Sequence, residues 1–405
     1  MTTISDPAQD SFHISQLLYD TRYRSITIQT VAVIGFMAFA GWLLNNVMVN
    51  LEAQGQDFNI SFLWERSGYD INQRPIEYSN DSTHFRAGLV GLVNTLLIAV
   101  FGCILATIIG VIAGVLRLSK NWLTAKIMAV YVESFRNIPV LLWIIAFFAV
   151  LSEATPLPNA FRGDNATASM LFDGTVAITN RGTYVPRPVW EVGSVFVVIT
   201  FLLSIIGIWA FGRFSQRRFE ATGRLLPNFW IKLGIFAIPT LIVYFALGRP
   251  IGLSYPELKG FNFQNGLHIR NSFIALWLAL SFYTGAFIAE NVRAGILAIS
   301  SGQSEAAFAL GLRPNRTMNL VILPQAMRVI IPPLISQYLN LTKNSSLAIA
   351  VGYMDLRSTL GGITLNQTGR ALETMLLMML IYLVISLIIS SSMNVYNASL
   401  KLKER

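Results

Sequence analysis

Ionisable residues placed inside long apolar runs are the first features of this sequence with chemical consequences. Glu133 and Arg136 stand three apart in one run, and Glu290 and Arg293 repeat the spacing in another. On a helix, residues three apart share a face, so each acid can neutralise its base. A charge left alone near the centre of a bilayer costs at least about 2.5–3.5 kcal/mol, so each pair needs a reason. Pro139 follows the first pair closely and interrupts its helix. A half-helix starting there would turn free N–H groups toward an anion such as a carboxylate. The plainer reading of both pairs is a packing salt bridge near the end of a span. Lys343, Asn344, Ser345 and Ser346 form a polar island in a third run, after Pro332 and Pro333. Arg136, Asn137, Pro139, Glu290, Lys343, Asn344 and Ser345 are therefore candidates for lining a path through a membrane.

Other chemistry is excluded by what is missing. The three histidines, His13, His84 and His268, are far apart and the single cysteine is Cys103, so no metal-ligand spacing exists. No Gly-x-x-x-x-Gly-Lys-Ser/Thr stretch occurs, and no Gly-Lys pair at all, so the chain lacks the phosphate cradle of an ATPase. No catalytic residue and no cofactor is expected in this chain.

These residues must be held by membrane spans. Of 405 residues 54% are hydrophobic and only 13% charged, against roughly 25% charged in soluble chains. The mean hydropathy is +0.55. A net charge of +9 would suggest nucleic acid in a polar protein, but here the basic residues are dispersed between apolar runs, so no nucleic-acid partner is expected. About 20 apolar residues cross a bilayer. Stretches of that kind lie near 26–49, 87–116, 127–151, 191–211, 229–247, 271–291, 326–349 and 373–396. The first is expected to be an uncleaved anchor. Arg22 and Arg24, Arg117 to Lys126, Arg213 to Arg224, Arg293 to Arg328 and Lys401 to Arg405 gather in alternate connections, which marks that side, and both termini, as cytoplasmic. The outer segments, about 50–86, 152–190 and 248–270, read as turns. Ala106, Gly110 and Gly114 form a stripe of small residues suited to close helix packing, and Lys232 is near enough to a span end to snorkel.

The connection 301–328, SGQSEAAFALGLRPNRTMNLVILPQAMR, carries the strongest local signal. Ser304 reads as the cap of a short helix with Glu305 in its first turn, Gly311 as its stop, and Pro324 as the end or bend of a second helix that starts at Thr317. By itself this is a helix-turn-helix connector with small Ala306 and Ala307 leaving room for another surface. The order Glu305-Ala306-Ala307, Gly311, Val321, Leu323 and Pro324 resembles the EAA loop of binding-protein-dependent ABC importer permeases. Gly91 to Leu96, Tyr131 to Pro139, Tyr283 to Gly295 and Lys343 to Leu347 are similar to stretches of the polar amino-acid branch of that family, the histidine/glutamine type. Tyr283 joins the path candidates on that likeness.

The resemblance covers about 87–151 and 271–396. It implies an all-α polytopic protein with the type I ABC importer transmembrane fold, about eight helices in a five-helix core plus one N-terminal and two inserted helices. The expected division is 1–86, tail, anchor and outer segment; 87–151, first part of the core; 152–270, insertion; and 271–405, second part of the core. Glu305, Ala306, Ala307, Gly311, Leu323 and Pro324 would couple to a dimer of ATPase subunits that carry the ATP and Mg. A second permease subunit, a periplasmic amino-acid-binding protein and the lipid bilayer complete the implied partners, in a bacterial inner membrane. The chain would move polar L-amino acids inward by alternating access. A secondary, ion-coupled amino-acid transporter is the alternative; it would show paired sequence halves, and none are found.

Overall fold

The computed structural model describes residues 21–399 apart from 54, 56, 164, 165, 224 and 225; both terminal tails, with Lys401, Lys403 and Arg405, and Arg224 lie outside the described residues. The chain divides into two compact units, Met1–Glu65 and Arg66–Arg405. In the first, α1 (Thr21–Ala53) is apolar on all sides from Val31 to Leu44 and long enough to cross a membrane.

The second unit begins with a segment, 66–83, that packs on the next helix: Ile71 and Tyr78 join Ala87, Val90 and Met354 in one buried cluster. The line drawn at 86 on sequence grounds thus falls inside a packed region. Then come α2 (His84–Leu116), α3 (Trp122–Asn137) and α4 (Val140–Glu153). Thr83 and Asn121 cap α2 and α3, their side-chain oxygens accepting from Arg86 N and from Leu123 N and Thr124 N. The span expected at 127–151 is broken, for the chain bends by 109° between α3 and α4. The cause is local. Pro139 cannot continue a helix, and it drives Ile138 into the extended region at φ −99°, ψ 133°.

The inserted region contains strands where turns were expected. These are β1 (Ala177–Thr179), β2 (Gly182–Val185), β3 (Arg187–Trp190), then helices α5 (Ser194–Thr222) and α6 (Asn228–Ala246), then β4 (Ile251–Ser254), β5 (Glu257–Lys259), β6 (Asn262–Gln264) and β7 (Leu267–Ile269). Strand β2 pairs antiparallel with both β1 and β7, β3 with β4, and β5 with β6. The α5–α6 hairpin therefore stands on the two-stranded β3–β4 ribbon, with Trp190 opposite Ile251. Asn271 Nδ2 donates toward the carbonyls of Leu151, Thr179 and Asn180. One buried amide thus ties the end of α4 and the β1–β2 turn to the start of the next helix.

That helix, α7 (Asn271–Leu297), is the centre of the core, with α2, α3, α4 and α10 (Leu323–Asn344) packed against it. Ile98, Ala106, Ile144, Leu276, Ile288 and Leu341 fill the space between them. The final helix is α11 (Ala371–Ser399). Among the described residues seven helices are long and apolar enough to cross a membrane, and the bent α3–α4 pair brings the number to eight, matching the expected spans. Pro332 and Pro333 lie inside α10 without ending it, since neighbouring helices re-satisfy freed backbone groups.

The small-residue stripe is the α2–α7 seam. A Cβ on Gly110 would sit 2.5 Å from Ile288 Cβ and 2.9 Å from the Gly285 carbonyl, and one on Gly114 would sit 2.6 Å from the Ala289 carbonyl. Gly110→Val should therefore force α2 and α7 apart and cost about 1–3 kcal/mol of stability or more. Thermal unfolding of the purified variant in detergent would show it as a lowered midpoint. Gly35→Ala, at a position with open space around it, should leave the midpoint unchanged.

Candidate functional site: the 301–328 loop and the charge cluster above it

The loop contains α8 (Ser301–Ala309), α9 (Pro314–Thr317), a π turn over Met318–Ile322, and the start of α10. Helix α8 starts four residues earlier than the sequence suggests: Ser300 stands at the cap position without a side-chain hydrogen bond, and Ser304 lies within the helix. Its end is well defined. Gly311 N donates to the Phe308 carbonyl at 2.9 Å and Leu312 N to the Ala307 carbonyl at 3.1 Å, the paired bonds that close a helix when the residue after its cap turns left-handed. Gly311 has φ +77°, which a residue with a Cβ adopts only at a cost. Ala307 is buried beneath this turn, while Glu305, Ala306, Phe308 and Leu310 are exposed, Leu310 at 82%. Gln325 Nε2 donates to Gln303 Oε1 at 3.2 Å and fastens α8 to α10.

Pro324 does not end the second helix. It occupies the first turn of α10, and the π turn before it, in which Leu323 N donates to the Met318 carbonyl, resets the register around the missing N–H. The loop thus runs into α10 as a rigid continuation. Leu323 is exposed at 40% and Leu320 at 61%. What the arrangement offers is a short helix bearing small and apolar residues, an acid and the nearby Arg313 and Arg316, all exposed and away from the packed core. These exposed apolar side chains are available to another surface.

Just before this loop, at the end of α7, the structure gathers four charges. Glu290 accepts from Arg293, with Nη2 at 2.6 Å from Oε1, and from Arg117 Nη1. Arg117 is the capping residue at the end of α2, and its Nη2 lies 3.7 Å from Glu133 Oε1 on α3. Glu290 and Arg293 therefore pair as their spacing suggests, whereas Glu133 turns to Arg117 and away from Arg136. The Arg136 guanidinium instead lies 5.3 Å from the ring centre of Phe287, and Asn137 Nδ2 reaches Glu133 at 3.5 Å. Sequence reading counted Arg117 only as a loop cation. It is the residue that joins three helices, and its place three residues after Gly114 at the end of the small-residue stripe was the available signal.

The elbow at Pro139 is held by stacked rings. Phe135 lies 4.0 Å from Trp143 and 5.7 Å from Phe282, and Phe147 lies 5.9 Å from Phe282. Tyr131 donates to the Phe282 carbonyl at 2.7 Å. Tyr283, next in sequence, contacts Phe287 on its own helix. The first turn of α4 after Pro139 is capped by no side chain.

The polar island separates. Ser345 is fully buried and donates to the Thr342 carbonyl, Asn344 is half-buried at the end of α10, and Lys343 is exposed. So the structure brings Arg136, Asn137 and Glu290 into one neighbourhood and places Ser345 in a second. That second cluster holds a residue the sequence reading missed. Asp355 is fully buried, accepting from Ser358 N at 2.9 Å, Ser358 Oγ at 2.8 Å and Tyr382 OH at 3.3 Å. Around it Asn94 Nδ2 donates to the Met354 carbonyl, Leu356 N donates to Thr95 Oγ1, and Tyr353 OH donates to the Asn94 carbonyl. Gly91 leaves the space in which Asp355 to Thr359 cross α2. These contacts give the Gly91 to Leu96 stretch its physical sense.

A broken span, a helical core with polar knots and an exposed loop helix define a polytopic membrane transport subunit. Comparison with known proteins places it more closely. The family of binding-protein-dependent transport system inner membrane components matches residues 217–402. The glutamate/glutamine/aspartate/asparagine transport system permease protein BztB of Rhodobacter capsulatus is 57% identical over 100% of both chains. The general L-amino acid transport system permease protein AapQ of Rhizobium johnstonii is 43% identical over 96% of this chain and 95% of its own. A crystal structure of an amino acid ABC transporter with histidines overlaps 78% of this chain and 95% of its own with a TM-score of 0.45 at 17% identity. The chain belongs to the binding-protein-dependent inner membrane components, as a permease of the amino-acid ABC transporters.

The charge cluster yields a graded expectation. Glu290→Gln leaves the Arg117 and Arg293 side chains, 14% and 33% exposed, without their shared carboxylate, at a cost of about 1–3 kcal/mol. Glu133→Gln removes a carboxylate that is 57% exposed and 3.7 Å from its partner, and should cost well under about 1 kcal/mol. Unfolding midpoints of the two variants in the same detergent check the ranking.

Proposed function

We propose that this chain is the transmembrane half of an ATP-driven importer that carries polar L-amino acids from periplasm to cytoplasm across a bacterial inner membrane, with both termini cytoplasmic. A periplasmic binding protein delivers the amino acid, a second permease subunit completes the path, and two ATPase subunits holding ATP and Mg supply the energy. Acidic amino acids and their amides are the first substrates to test, given the full-length likeness to a glutamate/glutamine/aspartate/asparagine permease. The broader likeness to a general L-amino acid permease extends the range.

The observation that carries the coupling role is the Gly311 turn, which holds exposed Glu305 and Ala306 on a short helix fastened to α10. Closure of the ATPase pair moves α8, and α10 and the Arg117–Glu290 cluster pass the displacement to α2, α3 and α7. Partners can drive this change only by binding one conformation better than the other. Arg136, Asn137, Pro139, Tyr283, Glu290, Lys343, Asn344 and Ser345 remain the candidates beside the path, with 152–270 as an insertion in the core.

Gly311→Val forces a side chain into a left-handed turn at about 1–2 kcal/mol, so ATPase docking should weaken roughly 5- to 30-fold. Proteoliposomes with binding protein and ATPase, scored for co-purified ATPase and for uptake of labelled glutamate and glutamine, measure this. Gly302→Ala, at an open position of α8, should keep both. Uptake that continues without ATP or without the binding protein would overturn the reading, and unchanged docking of the Gly311→Val variant would overturn the coupling role of the loop.

A further inference from the structure

Neither the core nor the coupling loop uses the α5–α6 hairpin, yet its inner end is chemically distinctive. Helix α5 is apolar from Ser194 to Gly212, about 28 Å at 1.5 Å per residue, which matches a hydrocarbon core of about 30 Å. Beyond Gly212 it continues as a helix for ten residues that include Arg213, Arg217 and Arg218. Trp209, Arg213 and Arg217 follow one another at four-residue intervals, one face and one turn apart. The Arg213 guanidinium lies 3.7 Å above the Trp209 ring. From α6, Lys232 brings its Nζ to Gly212, within 3.7 Å of where a Cβ would stand. Two helices therefore set cations at one level, where the apolar stretch of α5 ends. Ser215 Oγ donates to Asn228 Oδ1 at 2.6 Å and closes the hairpin at that same level.

The cations are not neutralised by the protein. Among the described residues no carboxylate lies within 4 Å of Arg213, Arg217, Arg218 or Lys232, and the nearby Glu220 accepts from Gln216 instead. Trp209, Phe229 and Trp230 are exposed at 60%, 70% and 70% around this end, the residue types that settle at the level of lipid headgroups. A guanidinium held flat on an indole keeps its N–H fork free for a bidentate anion, and phosphate oxygens fit that fork. Basic side chains level with the headgroups favour lipids of net negative charge.

We propose that the inner end of the α5–α6 hairpin binds the phosphate headgroup of an anionic phospholipid, gripped by Arg213, Arg217 and Lys232 with Trp209 beside the glycerol region. By chain alternation this end lies on the same side of the membrane as the 301–328 loop. The hairpin is thus a lipid anchor for an added part of the permease.

The test uses the full-length chain in nanodiscs of phosphatidylcholine alone or mixed in equal parts with phosphatidylglycerol, with retained lipid counted by native mass spectrometry. Wild type should retain phosphatidylglycerol in preference to phosphatidylcholine. The Arg213→Gln, Arg217→Gln, Lys232→Gln variant should retain at least about tenfold less phosphatidylglycerol than wild type from the same mixed nanodiscs. Arg213→Lys with Arg217→Lys, which keeps the charge and loses the fork, should retain an amount between the two, and retention no better than the neutral variant or equal to wild type would overturn the charge or the fork as part of the grip. Equal retention by wild type and the neutral variant would overturn the proposal. So would an equal loss on neutralising Arg313 and Arg316, which would make net charge the cause. A neutral variant that keeps its lipid and releases the ATPase would assign this face to protein and overturn it as well.

Discussion

The seam between α2 and α7 governs this structure. In a membrane no hydrophobic gain draws one helix to another, so association depends on how closely backbones can approach and what polar groups then meet. Gly110 and Gly114 strip α2 of side chains where it crosses Gly285, Ile288 and Ala289. The approach carries Arg117 to Glu290, the residue after Ala289, and a run of bare backbone ends in an ion pair. Since α7 leads within a few residues into α8, the geometry of the loop is referred back to that seam. Disturbing the contact would disturb the loop without touching it.

At the other end of α2 the same helix solves a different problem. Residues 345–359 pass through a 3-10 turn, a left-handed glycine at Gly352 and a short helical turn. Irregular backbone of this kind survives at membrane depth only where protein satisfies it. Asn94, Thr95 and Asp355 do this, each taking or giving hydrogen bonds to main-chain groups of the crossing segment. Tyr382 draws α11 into the arrangement. The carboxyl group of Asp355 is thereby held by hydroxyl and amide donors.

The spans were legible because length and hydropathy decide them, and the break at Pro139 because proline removes a donor and constrains its predecessor. Gly311 was legible too, since a left-handed helix end leaves few choices of residue. Pro324 was less legible, because the π turn before it takes up the missing donor and lets the helix run on. The strands of the insertion are three or four residues long and show no sustained alternation, so nothing in their pattern separates them from turns. Arg117 and Asp355 escaped because their partners lie far away in sequence. Asp355 takes two bonds from Ser358, three residues on, but its tie to another helix comes from Tyr382, 27 residues on, and Arg117 meets Glu290, 173 residues on.

The β3–β4 ribbon has a consequence for how such a chain can change. Paired strands enter and leave side by side, about 5 Å apart, and Asn271 bonds the end of α4 and the β1–β2 turn to the start of α7. The two cut ends of the core are thus brought together below the hairpin. Whatever hangs from the ribbon can lengthen, shrink or be exchanged while the helices beneath keep their places. The hairpin is a cassette, and its socket is two strands wide.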